Sequence, residues 1–188
     1  MQGDGQDRNR QVPLPWVGAQ PATILVIDND NNVAVDGVPP YTFLTVVEGG
    51  TEQQVAERIY RGKPAGIQSF GDIEVEVRDS KGYPHTIRFS RPTQIRIAVE
   101  CEVVRAEDRP LQSLVTIKEA IIAHINALPI GQDVVWSRLF EPGNLVEGVD
   151  VRTISSGLEG ETLGTDDVEI GDIQKAVTDD TLVSIVEV

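Results

Sequence analysis

The chain has 188 residues, 40% of them apolar and 24% charged, enough apolar matter for one large core or two small ones. Sixteen Lys and Arg against 30 Asp and Glu leave a formal charge of -14, so the surface repels phosphate backbones and no nucleic-acid partner is expected. Apolar runs such as residues 23–27 and 120–123 fall far short of the roughly 20 residues that span a bilayer, no basic-then-apolar signal is visible at the start, and no membrane partner is expected. The single cysteine, Cys101, excludes an internal disulfide framework and a Cys-rich zinc site.

In chain order, residues 1–22 are rich in Pro, Gly and Gln and read as a flexible lead-in. Residues 23–27 are β-branched and continuous, a buried strand ending in a polar turn at Asp28 to Asn32. A second strand is expected over 41–47. Thr51 with Gln54 three residues later is a capping box, and Val55 and Ile59 give the following helix its buried stripe, which Gly62 and Pro64 stop. Ile73, Val75 and Val77 alternate with charged residues, as do Ile95, Ile97, Val99, Cys101 and Val103; both runs predict strands with one wet face. A register slip in the second would bury Arg96, Glu100 and Glu102.

The charged stretch Ala106 to Pro110 reads as a domain boundary. Residues 22–108 carry -5 and residues 109–188 carry -9. Beyond that point Leu114, Ile117, Ile121, Ile125 and Leu128 recur at helical spacing. A shorter helix is expected from Asp133, a strand over 149–155, and a closing β-hairpin of 172–177 with 182–188 around Thr178, Asp179 and Asp180. The fold class expected is therefore α+β, with two small domains, 23–108 and 109–188. In the first a helix packs on a mostly antiparallel sheet; in the second a helical pair is followed by strands and the terminal hairpin.

Chemistry-bearing patterns are few. His85 and His124 are the only histidines, and His124 flanks the helix stripe; a lone His builds no zinc triad. Cys101 falls on the apolar face of a strand, where a thiol acts as a small hydrophobe. The segment Asp28 to Asn32 starts like a calcium loop, but Val33 stands where Gly is needed and Pro39 where a bidentate Glu belongs. Nucleotide, phosphate-loop, serine-hydrolase and zinc-peptidase signatures are absent from the sequence. No catalytic residue, cofactor or metal is expected. Trp136, Arg138 and Phe140 share a short helix with Val135 and Leu139, so apolar and aromatic residues surround it almost completely. Burial of this helix in its own domain is the first expectation and a Trp/Arg anchor for a partner the second, which makes these three the candidate interface residues.

Several of these segments occur together in one known order: Val47 through Ile59, Lys63 to Ile67, Gly71 and the alternating strand to Asp79, Ile87 to Pro92, Ile117 to Ile121, Ile130 to Phe140, and Gly148-Val149. In that order and spacing the chain, over residues 23–188, resembles the baseplate J family, wedge proteins of contractile phage tails and related injection machines. The resemblance implies a structural virion protein of the tail baseplate, assembled in the bacterial host cytoplasm. Its implied partners are other wedge and hub proteins and further copies of itself, and the family has no catalytic residues to carry over. Family members carry further domains ahead of this part, so a carboxy-terminal portion or a shortened relative is expected. A virion-surface adhesin recognising a cell-surface glycan is the alternative from another class, set back by 5% aromatics; an acidic glycosidase or peptidase ranks third.

Overall fold

The computed structural model describes residues 9–11, 24–29, 39, 41–63, 66–108, 110–144 and 146–188. It is α+β and divides into two compact units, Met1–Pro92 and Thr93–Val188. The division precedes the expected boundary at Ala106 to Pro110, because the long alternating strand builds the second unit. The charged stretch is only the connection from that strand to the next helix.

In the first unit, β1 (Asn9–Gln11), β2 (Ile24–Asn29), β3 (Thr42–Val47) and β4 (Gln68–Phe70) form one sheet in that order. The β1 strand lies inside the expected flexible lead-in, pairing antiparallel with β2; the rest of the lead-in falls outside the described residues. Asp28 and Asn29 belong to β2, and the remainder of the expected polar turn is likewise outside them.

Helix α1 (Glu52–Gly62) starts at the predicted capping box: Thr51 Oγ1 accepts from the Gln54 N–H, and Gln54 Oε1 accepts from the Thr51 N–H. Its Val55, Ala56 and Ile59 are buried with Val77, Ile87 and Phe89 of the hairpin β5 (Ile73–Arg78) and β6 (Pro84–Phe89). Gly71 enters this hairpin at φ +152°, where a Cβ would lie 2.3 Å from the Phe89 carbonyl carbon. Backbone against backbone leaves room for glycine alone.

The second unit is organised on β7 (Thr93–Arg105). The predicted register holds: Ile97, Val99, Cys101 and Val103 are buried, while Glu100 is exposed. Helix α2 (Gln112–Asn126) lays Ile117, Ile121 and Ile125, each fully buried, into the same core. A 3-10 turn (Trp136–Leu139) and the one-turn helix α3 (Phe140–Gly143) follow. Strand β8 (Val149–Leu158) then runs antiparallel along one edge of β7.

The expected closing hairpin does not form. Strands β9 (Gln174–Val177) and β10 (Val183–Glu187) both run parallel to β7 on its other edge, β9 against Thr93–Arg96 and β10 against Val99–Val103. They are one strand path interrupted by a loop at residues 178–182. The loop is anchored by Thr178 Oγ1, which donates to the Ile97 carbonyl at 2.7 Å, and by Asp179, which pairs with Arg96 at 3.0 Å. Asp179 also accepts from the Thr181 hydroxyl and N–H; these bonds, then Arg96, outweigh desolvation and hold its carboxyl below the usual range.

Candidate functional site

The candidate interface residues sit on the 3-10 turn and the start of α3. This segment is stitched to the loop before β9 from both sides: Val134 and Val168 exchange backbone hydrogen bonds at 3.0 Å. Asp133 Oδ1 accepts from the Ile170 N–H at 2.7 Å, and Asp167 Oδ1 from the Trp136 N–H at 2.8 Å. Asp133 therefore does not open a helix as expected; it caps a neighbouring loop, and Val135 occupies the N-cap position without a side-chain bond.

Trp136 is half-buried, its Nε1 donating to the Ile154 carbonyl of β8 at 2.7 Å. Its ring meets Phe140 edge-on, centroids 5.2 Å apart and planes at 86°, the arrangement that the ring quadrupoles favour. Phe140 packs on the core beside the fully buried Leu139. Gly143 lies so close under β8 that a Cβ there would meet Val151 Cγ2 at 2.9 Å. Arg138 alone of the three points its length to solvent. The structure thus joins Trp136 and Phe140 as an internally anchored ring pair, and leaves Arg138 as an exposed cation on an acidic unit. Within 93–188 there are 7 basic and 18 acidic residues.

In the first unit, a groove of about 600 Å³ runs between α1 and the β5–β6 hairpin, lined by Gln53, Glu57, Tyr60, Arg61, Glu76 and Asp79 among others. At its end the Tyr60 and His85 rings approach to 4.9 Å, and His85 Nε2 lies 3.3 Å from Asp79 Oδ2. Burial pushes the Asp79 pKa up, but the N–H groups of Tyr83 and Lys81 and the His85 ring together hold it below the usual carboxylate range. Asp79 accordingly ties the hairpin turn. The signal available in the sequence was an Asp two and four residues ahead of the amides it caps.

A second feature invisible to motif reading is Arg91. Its guanidinium donates to the carbonyls of Val47 and Gly50, both at 2.9 Å, and to that of Gly49, while its Cζ stands 5.3 Å from the centroid of the Phe89 ring. This side chain thus ties the end of β3 and the turn that leads into α1.

Cys101 is fully buried; burial, with the nearby Glu102 charge, pushes its thiol up to about 11. No group of three metal-ligating side chains occurs among the described residues, and none of their helices is long and apolar enough to cross a membrane. Compared with known families and curated proteins, the chain matches no family model and no curated sequence.

Proposed function

We propose that this protein is a structural component of a baseplate wedge, in a contractile phage tail or related injection system. It acts through contacts with neighbouring wedge and hub subunits and with its own copies, not through catalysis. The supporting observation is Arg91. Two segments that carry the family resemblance, Val47 to Thr51 and Ile87 to Pro92, are far apart in sequence, yet Arg91 of the second binds three carbonyls of the first, those of Val47, Gly49 and Gly50. Residues recognised as a signature thus serve a scaffold, fixing where α1 begins, and the chemistry they perform is capping and turn closure.

The test is assembly. Purified chain mixed with wedge and hub proteins of a contractile tail should co-elute with them and raise the scattering mass as concentration rises. A chain that stays monomeric and indifferent to each of those partners would overturn the reading. Binding to a glycan array, abolished by chelator, would favour the adhesin alternative.

A further inference from the structure

The two strands that continue each other beside β7 differ in what lies on their outer edge. In a parallel ladder, alternate residues bond to the same neighbour. Along β9 and the residue that follows it, Gln174, Ala176 and Thr178 turn outward, and the first and last of these are bonded to neighbouring segments. The Gly131 N–H donates to the Gln174 carbonyl at 2.8 Å, and the Asn126 amide bonds the Thr178 N–H and carbonyl. At the two ends of β10, the flanking Leu182 accepts from Val99 at 2.9 Å and the flanking Val188 donates to Val103 at 3.0 Å. The register turns Val183, Ile185 and Glu187 away from β7; Val183 is buried, so the accessible outward N–H and C=O groups are those of Ile185 and Glu187. Among the described residues nothing pairs with these groups, and β10 is the last strand of its sheet.

Open edges are templates for strand addition, and natural proteins blunt them unless they are used. The charge around this edge says what would fit. On the wet face, Ser184 and Val186 lie directly opposite Glu100 and Glu102 of β7, and Asp179 and Asp180 precede the strand. The nearby cations are already engaged: Arg96 with Glu159 and Asp179, Arg105 with Glu187, Lys118 with Asp180. On the other face, Val183 and Ile185 belong to the core that α2 covers.

We propose that the β10 edge receives an extended segment of a partner protein as a further strand. Its residues alternate between apolar side chains on the α2 face and basic side chains on the Glu100–Glu102 face. Backbone hydrogen bonds to Ile185 and Glu187 give the attachment, and the alternation gives specificity. A second copy of this chain fits less well, because its own edge brings the same acidic surroundings. The inference rests on the wedge reading only for the source of the segment.

The experiment uses the whole chain and two blocked peptides of about six residues, one alternating Val and Lys, the other Val and Glu. The Val-Lys peptide should slow amide hydrogen exchange at Ile185 and Glu187, and the Val-Glu peptide should not. Ile185→Pro removes one outward donor while sparing the groups bonded to β7, and should weaken Val-Lys binding by roughly tenfold, about the worth of one hydrogen bond with its geometry. Glu100→Lys combined with Glu102→Lys should reverse the peptide preference, and this decides the matter even if Ile185→Pro does not fold. Absence of protection at those amides, or equal response to both peptides, would overturn the proposal. Failure here with wedge partners still bound removes strand addition alone; strand addition without any response to wedge partners removes only the wedge reading.

Discussion

The side-chain amide of Asn126 bonds both backbone groups of Thr178, its Oδ1 accepting from the N–H at 2.9 Å and its Nδ2 donating to the carbonyl at 3.0 Å. The last residue of α2 thereby imitates a neighbouring strand where the path from β9 to β10 is broken. Thr178 is buried, so its backbone cannot turn to water for replacement partners.

Replacing Asn126 by Ala should therefore cost about 2 kcal/mol, two modest hydrogen bonds plus some penalty for orphaned backbone groups. Urea denaturation should show a lower midpoint with an unchanged slope. Asn126→Asp should cost more than Asn126→Ala, because it loses the donor and sets a carboxylate near Asp179 and Asp180. An Asn126→Ala variant with a wild-type midpoint would show that the loop closes without this bond.

Trp136 and Arg138 separate packing from recognition. Trp136→Ala removes the ring pair with Phe140 and the bond to Ile154, and should destabilise the second unit by roughly 3 kcal/mol. Trp136→Phe keeps an aromatic body and should lose about 1 kcal/mol. Arg138→Glu touches only solvent-exposed surface and should leave the thermal midpoint within a few tenths of a kcal/mol equivalent. If partner binding falls with Arg138→Glu at an unchanged midpoint, the segment is an interface. If only the Trp136 variants weaken association, in step with their stability, it is core.

Local patterns were legible in the sequence and non-local closures were not. The Thr51–Gln54 box and the alternation from Ile95 to Val103 are set by neighbours a few residues away, and both appear as expected. Thr178-Asp179-Asp180 carries every local mark of a hairpin turn, but its partners are Ile97, Arg96 and Asn126, which no window on the turn contains. The same limit moved the division between units. A charged, Pro-ended stretch looks the same whether it joins two domains or, as here, a strand to the helix that packs on it. Trp136 illustrates the ambiguity of an aromatic run, since the bond from its Nε1 to a carbonyl on β8, which no local window contains, ties a half-buried ring to its own unit.

Cys101 should be chemically silent in the native state. With the thiol pushed up to about 11 from an ordinary 9.0, its reactive thiolate is scarce at neutral pH, and the side chain is fully buried as well. Alkylation by iodoacetamide should be slow until the chain unfolds, then complete. The linkage has a definite sign. The folded-state pKa is raised, so the folded state holds the proton more tightly, and the associated stability is present below about pH 9. It is lost as pH rises from 9 toward 11. Cys101→Ala should flatten that alkaline loss in a pH series of denaturation midpoints; an unchanged alkaline limb would assign it to other groups.

Charge in the second unit makes salt a discriminating variable. Residues 93–188 carry a net -11, most of the chain's -14, and three of the unit's cations are committed to internal pairs with Glu159 and Asp179, Glu187, and Asp180. Two copies approaching through this unit repel over about 10 Å at 0.1 M ionic strength and only about 3 Å at 1 M. Self-association measured by light scattering should accordingly strengthen as salt rises. Binding of a basic partner should weaken over the same range, because there the screened interaction is attractive. Opposite slopes for the two equilibria are the expected result. Self-association that weakens with salt would mean that attractive charge pairs lie in the contact, with Arg138 and Arg152, both exposed, as the cations to substitute first.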